Sequence, residues 1–284
     1  METQISEQLG ALSHPKRLDL FRLLMRRYPD SVPAGQIAKA LDLKANTASV
    51  YLSALKQAGL IKQARVGTSL QYTINMPQLR GLFSGLLVNC CQNRPDLCLP
   101  STNATQPTMF DTVPPTRPLN VLFICTANSA RSIMAEAILN AEGQGQFNAF
   151  SAGTIPADTP HPAVLKLLTG KAYDVSGISS KSLHQFESAT APQMDFVFTV
   201  CDQAANEECP AWPGHPMSAH WGQPDPIKAA GNEAQRELAF QQAYGLLRNR
   251  IKAFVNLPMA SLNRISLQHN LDDIGRIQAA TIAD

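Results

Sequence analysis

The sequence predicts two domains: a mainly α N-terminal domain closed by a β-hairpin, and a C-terminal α/β domain around a mostly parallel sheet. Three observations predict this. The chain has 284 residues, too many for one small core and enough for two. Its first part reads as short helices followed by a hairpin, whereas its second alternates strand and helix. Between them, "RPDLCLPSTNATQPTMFDTVPPTRP" holds six prolines and five threonines in 25 residues and sustains no period. The expected boundaries are 1–93 for the first domain, 94–118 for a linker containing Cys98, 119–258 for the second domain and 259–284 for a C-terminal tail.

In the first domain, Leu20, Phe21, Leu23 and Leu24 form an apolar stripe on "HPKRLDLFRLLMRR". Pro33 can start the next helix, with Ile37 and Leu41 facing inward. "LKANTASVYLSALKQAGLI" places Ala48, Leu52, Leu55 and Gly59 on one face, and "LIKQARVGTSLQYTI" makes two strands around Val66-Gly67-Thr68. Helix, turn, helix and hairpin wing together form a winged helix-turn-helix, a DNA-binding arrangement. Charge agrees weakly: residues 1–100 hold 12 Lys+Arg against 6 Asp+Glu, while 101–284 hold 12 against 16.

These residues resemble the ArsR/SmtB repressors, winged helix-turn-helix dimers, through Leu41, Leu43, Thr47, Ser49, Leu52, Leu55, Ala58, Gly59 and Leu60. The likeness spans roughly residues 5–98 and implies a homodimer formed through this domain on operator DNA. With the apolar face inward, Asn46, Thr47, Ser49 and Val50 point to base edges, Asn46 towards adenine and Val50 towards a thymine methyl. Lys44, and Arg65 on the wing, would hold phosphates. A trihelical protein-interaction module is the alternative.

In the second domain, "LNVLFIC", "FNAFSAG" and "DFVFTVC" are strand candidates. "SIMAEAILNAE", "PAVLKLLTG" and "EAQRELAFQQAYGLLRNRIKAFV" are helical, and "SLNRISLQHNLDDIGRI" in the tail is a further amphipathic stretch. Two of the strands end on a cysteine, Cys125 and Cys201, at the carboxyl ends where open sheets place their ligands.

Cys125 and Arg131 bracket a C-x5-R loop between strand and helix, "CTANSAR". Backbone N–H groups of such a loop can converge on one centre, and the helix adds its positive end. Arg131 offers a planar fork that matches two oxygens of a tetrahedral oxyanion. The expected cradle is Thr126, Ala127, Asn128, Ser129, Ala130, Arg131 and Ser132, with Cys125 a nucleophile of lowered pKa beneath it. Ser129 and Ser132 can donate to the thiolate, and Asn128 can brace the loop. Asp225 in "HWGQPDP" is the expected proton donor to the departing oxygen. This equipment is similar to that of the low-molecular-weight tyrosine phosphatase fold.

"VCDQAANEECP" adds Cys201 and Cys209 in a C-x7-C spacing. A phosphatase needs no further thiol, whereas an arsenate reductase must deliver two electrons by thiol–disulfide exchange. Residues 119–256 resemble the thioredoxin-coupled arsenate reductases in "CTANSARS", "SAGT", "TVCD", "CP", "HWG" and "DP". The resemblance implies Cys125 as nucleophile, Cys201 as first resolving thiol, Cys209 as second, Arg131 as oxyanion binder and Asp225 as acid. It also implies an external thiol reductant of thioredoxin or glutaredoxin type, with no tightly bound cofactor. In some relatives an Asp near positions 180–182 helps to bind potassium, and Lys181 there argues against a bound potassium. Cys201, Cys209, His215 and His220 are zinc-ligand types, but their gaps exceed the roughly two to four residues of structural zinc pairs. The two histidines are expected at the pocket mouth or in solvent.

"NCCQNRPDLC" follows the helical stretch "PQLRGLFSGLLVNCC". Cys90, Cys91 and Cys98 offer three soft sulfurs, the number that pyramidal trivalent arsenic takes, and some ArsR relatives sense arsenite with a similar cluster. The expectation is an arsenite-responsive repressor fused to an arsenate reductase. The alternative is a DNA-binding regulator carrying a phosphatase or a non-catalytic oxyanion-binding domain. No apolar run approaches the roughly 20 residues that cross a bilayer, and six cysteines without a signal-peptide pattern point to a cytoplasmic protein with no membrane partner.

Overall fold

A computed structural model describes residues 2–86, 117–188, 190–207, 212, 214 and 216–278. Cys90, Cys91, Cys98, Cys209 and His215 lie outside the described residues, as does the linker 94–118 except for its last two positions. The chain divides into two compact units.

The first unit is a winged helix-turn-helix. Its helices are α1 (Glu2–Leu12), α2 (Pro15–Arg27), α3 (Ala34–Ala40), α4 (Ala45–Gln57) and α5 (Met76–Gly85). Its strands are β1 (Val32–Pro33), β2 (Ile61–Val66) and β3 (Ser69–Ile74), antiparallel in the order β1-β3-β2. The hairpin register pairs Ile61 with Ile74 and Val66 with Ser69, which leaves Gly67-Thr68 as the two-residue turn. Leu20, Leu23 and Leu24 of α2 meet Leu52 and Leu55 of α4 in one core, joined by Ile37, Ile61, Tyr72 and Ile74. Pro33 is the residue before α3 and pairs with Gln71 as part of an edge strand. Proline is tolerated at a sheet edge because its missing N–H faces away from the ladder.

The second unit is α/β. Strands β4 (Leu119–Cys125), β5 (Phe147–Gly153), β6 (Phe196–Thr199) and β7 (Met217–His220) run parallel in the order β5-β4-β6-β7. Helices α6 (Arg131–Glu142), α7 (Pro162–Gly170), α8 (Asp202–Asn206), α9 (Glu233–Val255) and α10 (Arg264–Gly275) accompany them. Central β4 is almost wholly buried, as a strand covered on both faces must be. Phe123, Phe198, Trp221 and Phe254 form an aromatic nucleus, with Phe198 and Trp221 stacked at 4.1 Å. In the stretch set apart as a tail, Leu267, Leu271 and Ile274 of α10 belong to the same core. Register matters for chemistry: Cys125 at the end of β4 lies opposite Gly153 at the end of β5.

Candidate active site and candidate nucleic-acid interface

The loop after β4 turns its carbonyls outwards. Cys125 O accepts from Thr154 N–H at 3.2 Å, Thr126 O from Ile155 at 2.9 Å, Ala127 O from Ala157 at 2.8 Å and Ser129 O from His161 at 2.9 Å. Asn128 O accepts from the Ser180 hydroxyl at 2.8 Å. Five consecutive carbonyls are thus committed to the chain that follows β5 and to residue 180. Peptide planarity then aims the N–H groups of the loop to the opposite side, towards its centre. Helix α6 starts at Arg131 with Ala130 as N-cap and no capping side chain, so its positive end is left to a ligand.

Asn128 is the brace. It is fully buried at φ +44°, a left-handed conformation that Asn tolerates better than most residues. Its Nδ2 donates to Ser132 Oγ and Ser151 Oγ, both at 2.8 Å, and its Oδ1 accepts from Lys181 N–H at 2.6 Å. Beneath it, Lys181 Nζ pairs with Glu136 Oε2 at 3.0 Å, and Ser151 donates to the same carboxylate. An ammonium therefore occupies this part-buried acidic position. Gly153 completes the arrangement: a Cβ there would lie 2.7 Å from Thr126 O and 3.0 Å from Asn128 N, so β5 approaches the loop only without a side chain.

Cys125 is buried, 2.9 Å from Ser132 Oγ, and accepts from Asn128 N–H at 3.1 Å. Burial pushes its thiol up and the nearby Cys201 adds to this, while Ser132 and the Asn128 N–H pull down; the net direction is upward. This corrects the expectation of a lowered pKa. A helix start and hydrogen bonds favour the thiolate, but a sulfur sealed from water loses more than they return. Arg131 is turned to the 223–225 segment, giving Nη1 to Gln223 O at 2.9 Å and Nη2 to Asp225 Oδ2 at 2.9 Å. Asp225 also caps the short 3-10 turn Pro226–Lys228 by accepting from Ile227 N–H.

Cys201 is a buried free thiol and the N-cap of α8, its sulfur accepting from Ala204 N–H at 3.4 Å. The same sulfur lies 3.4 Å from the Thr126 hydroxyl. Cys125, Arg131, Asp225 and Cys201 are therefore gathered around one loop, with Ser132 touching the sulfur. The Cys125 sulfur meets Ser132 Oγ and Asn128 N–H and not the hydroxyl of Ser129, which was expected as a second donor. His220, expected at the pocket mouth or in solvent, is instead buried between Thr199 and Asp202. Sequence reasoning gave no role to Glu136 and read Ser151 only as part of "SAGT"; the spacing of Glu136 from Ser132 on one helix face was the available signal for Glu136. Among the described residues, no cluster of three or more His, Cys, Asp or Glu could hold a metal, and no helix is long and apolar enough to cross a membrane.

In the first unit, α4 presents Asn46, Ser49 and Val50 outwards, Val50 being 65% exposed, while Thr47 is half-buried. Lys44 is the exposed N-cap of α4. Arg65 is exposed on β2 and donates weakly to Gly67 O at 3.4 Å, which aims it along the wing. The helix thus offers polar and methyl groups, flanked by cations, of the kind that read a major groove.

Residues 120–266 match the family described as Low molecular weight phosphotyrosine protein phosphatase, and residues 12–64 match the family described as Helix-turn-helix domain. Over 134 residues the chain is 35% identical to an arsenate reductase of Shouchella clausii (strain KSM-K16), covering 47% of this chain and 93% of that protein. It is 34% identical over 134 residues to an arsenate reductase of Bacillus subtilis (strain 168), with the same coverage of 47% and 93%. Among solved structures, an arsenate reductase from Archaeoglobus fulgidus DSM 4304 is 25% identical, with a TM-score of 0.39, over 48% of this chain and 99% of that one.

Proposed function

The chain belongs to the low molecular weight phosphotyrosine protein phosphatase family, and on that premise we propose that it is a bifunctional arsenic-resistance protein, an arsenate reductase joined to an arsenite-responsive repressor. The observation that carries the enzymatic half is a second buried free thiol, Cys201, within 3.4 Å of the loop that holds Cys125. Hydrolysis of a phosphate ester has no use for it; reduction does. Relatives at 35% and 34% identity that are arsenate reductases support the same choice.

In the proposed reaction the loop N–H groups and Arg131 hold arsenate over Cys125, after Arg131 exchanges its contacts with Gln223 and Asp225 for substrate oxygens. Cys125 gives up its thiol proton as its sulfur attacks arsenic, and the displaced hydroxyl takes a proton from Asp225 and leaves as water, so that thiol and arsenate give the S–As adduct and one water. Cys201 sulfur then attacks Cys125 sulfur: the S–S bond forms, the S–As bond breaks, and its electron pair stays on arsenic. Arsenic(V) thereby becomes arsenic(III) and leaves as arsenite. Cys209, outside the described residues, attacks Cys201 and frees Cys125; an external dithiol of thioredoxin or glutaredoxin type reduces the Cys201–Cys209 disulfide. A reduced, cytoplasmic compartment suits these steps.

The winged helix-turn-helix is the proposed operator-binding half: a homodimer formed through this domain reads the operator with α4 and the wing. Cys90, Cys91 and Cys98 are its proposed arsenite ligands, so that the reductase makes the ion the repressor reads. Arsenite must bind the DNA-free state more tightly than the DNA-bound state to release the operator.

The test is steady-state arsenate turnover with thioredoxin or glutaredoxin systems, run on wild type and on Cys125→Ser, Cys201→Ser and Cys209→Ser. Each substitution should abolish repeated turnover, while Cys201→Ser should keep hydrolysis of an aryl phosphate. Arsenate turnover that survives Cys201→Ser would refute the relay. Aryl-phosphate hydrolysis with no arsenate reduction in wild type would instead identify a phosphatase attached to a regulator.

A further inference from the structure

Helix α8 begins one residue after the relay cysteine and is too short to persist alone. Five residues form barely more than one turn, far below the roughly 12–15 that an isolated helix needs in water. Tertiary contacts must therefore set where Cys201 points. Ala204 and Ala205 are buried, and a polar contact to a buried ring holds the first residue: Asp202 Oδ1 lies 3.1 Å from His220 Nε2. The other ring nitrogen, Nδ1, lies 2.8 Å from Thr199 Oγ1 on β6. The imidazole is 2% exposed while the carboxylate is 52% exposed, so the buried partner is the anchor and the carboxylate the part it holds.

The anchor is itself rigid. Trp221, next in sequence, stacks on Phe198 at 4.1 Å and donates Nε1 to Leu271 O at 3.1 Å. Buried Arg250 donates Nη1 to Trp221 O at 2.8 Å and to Gly222 O at 3.2 Å. Gly222 leaves the slot in which the pair sits, since a Cβ there would collide with the imidazole Nε2 and with the Asp202 carboxylate. The end of β7 is thus fixed by α9 and α10, and its histidine reaches across to the residue beside Cys201.

We propose that His220 is a positioning residue for arsenate reduction: through Asp202 it sets the start of α8, which keeps the Cys201 sulfur facing the Cys125 loop. This rests on the reading that Cys201 resolves the arsenic adduct on Cys125. Loop and Arg131 bind the oxyanion without α8, so the contact acts on the S–S bond-forming step and not on arsenate binding. The same step is where displacement by an ångström is expensive.

The experiment compares full-length wild type, Asp202→Ala, Asp202→Asn, His220→Gln and Cys201→Ser. Asp202 is half-exposed, so its removal leaves the fold intact, whereas His220→Gln replaces a buried ring. Asp202→Ala should lower kcat for arsenate at least about tenfold while KM stays within about twofold, because only the resolving geometry is lost. Aryl-phosphate hydrolysis should be unchanged, and Asp202→Asn, which keeps an oxygen at Oδ1, should recover most of kcat. Thiol labelling after a single turnover should show slower Cys125–Cys201 disulfide formation in Asp202→Ala. An unchanged kcat in Asp202→Ala, or a parallel fall in aryl-phosphate hydrolysis, overturns the positioning role while Cys201→Ser remains inactive. Should Cys201→Ser turn over arsenate normally, the relay and the positioning role fall together.

Discussion

Cys125 is held as a thiol more firmly than a free cysteine. Burial raises its pKa above the ordinary value, so at neutral pH its thiolate fraction is smaller than that of a small thiol, and it grows as pH rises through the alkaline range. Alkylation by iodoacetamide at pH 7 should accordingly be slower at Cys125 than at glutathione and should still be climbing at pH 9. Ser132→Ala removes a bond that pulls the pKa down, and should slow alkylation at every pH. A rate already flat at pH 7 would show the opposite shift. Asn128 carries the other residue-level prediction. It is fully buried with side-chain bonds to Ser132, Ser151 and the Lys181 N–H, so Asn128→Ala should cost about 2–4 kcal/mol of stability in urea unfolding. A loss under about 1 kcal/mol would mean that the loop re-forms its bonds without it. The bracing role of Asn128 was readable from the motif. The Lys181–Glu136 pair under it was not, because 45 residues separate the two.

Elements were legible where pattern was strong. β4 and β6 are apolar runs rich in Phe, Val and Ile, and α4 carries its inward Ala48, Leu52 and Leu55 at helical spacing. β7 went unread because "MSAH" has neither β-branched residues nor alternation, and burial rather than propensity places it beside β6. α1 went unread because "ETQISEQLGAL" has too narrow an apolar face to stand out. α8 is too short for any period, yet Cys201 is its N-cap. The junction of β4 with β5 makes an element-scale prediction. Gly153→Ala would force Thr126 O and the Asn128 backbone away from β5, shifting the loop proposed to hold the oxyanion. Arsenate kcat/KM should fall about 10²-fold with little change in the circular-dichroism spectrum. Activity within about twofold of wild type would mean that the loop tolerates the displacement.

At the scale of the whole molecule, two folds of known chemistry stand on one chain, and each was foreseeable from its own segment. What the sequence could not supply was proximity: nothing in a spacing of 76 residues says that Cys201 comes to the loop of Cys125. Parallel order β4-β6 does that, by bringing the carboxyl ends of both strands together. For the first unit, Arg65→Ala should weaken binding to operator and non-specific DNA alike and reduce the salt slope by about 1, whereas Val50→Ala should alter base preference. Fluorescence anisotropy across a salt series separates the two, and a slope unaffected by Arg65→Ala would remove the wing from the phosphate contacts.

The central claim is that oxidation passes from sulfur to sulfur within this chain. Disulfide mapping by mass spectrometry after one arsenate turnover without external reductant tests it most directly. The relay predicts a Cys201–Cys209 disulfide in wild type and a Cys125–Cys201 disulfide in Cys209→Ser, each with one arsenite formed per chain. Arsenite formed while all three thiols remain reduced, or oxidised Cys125 never joined to Cys201, would contradict it.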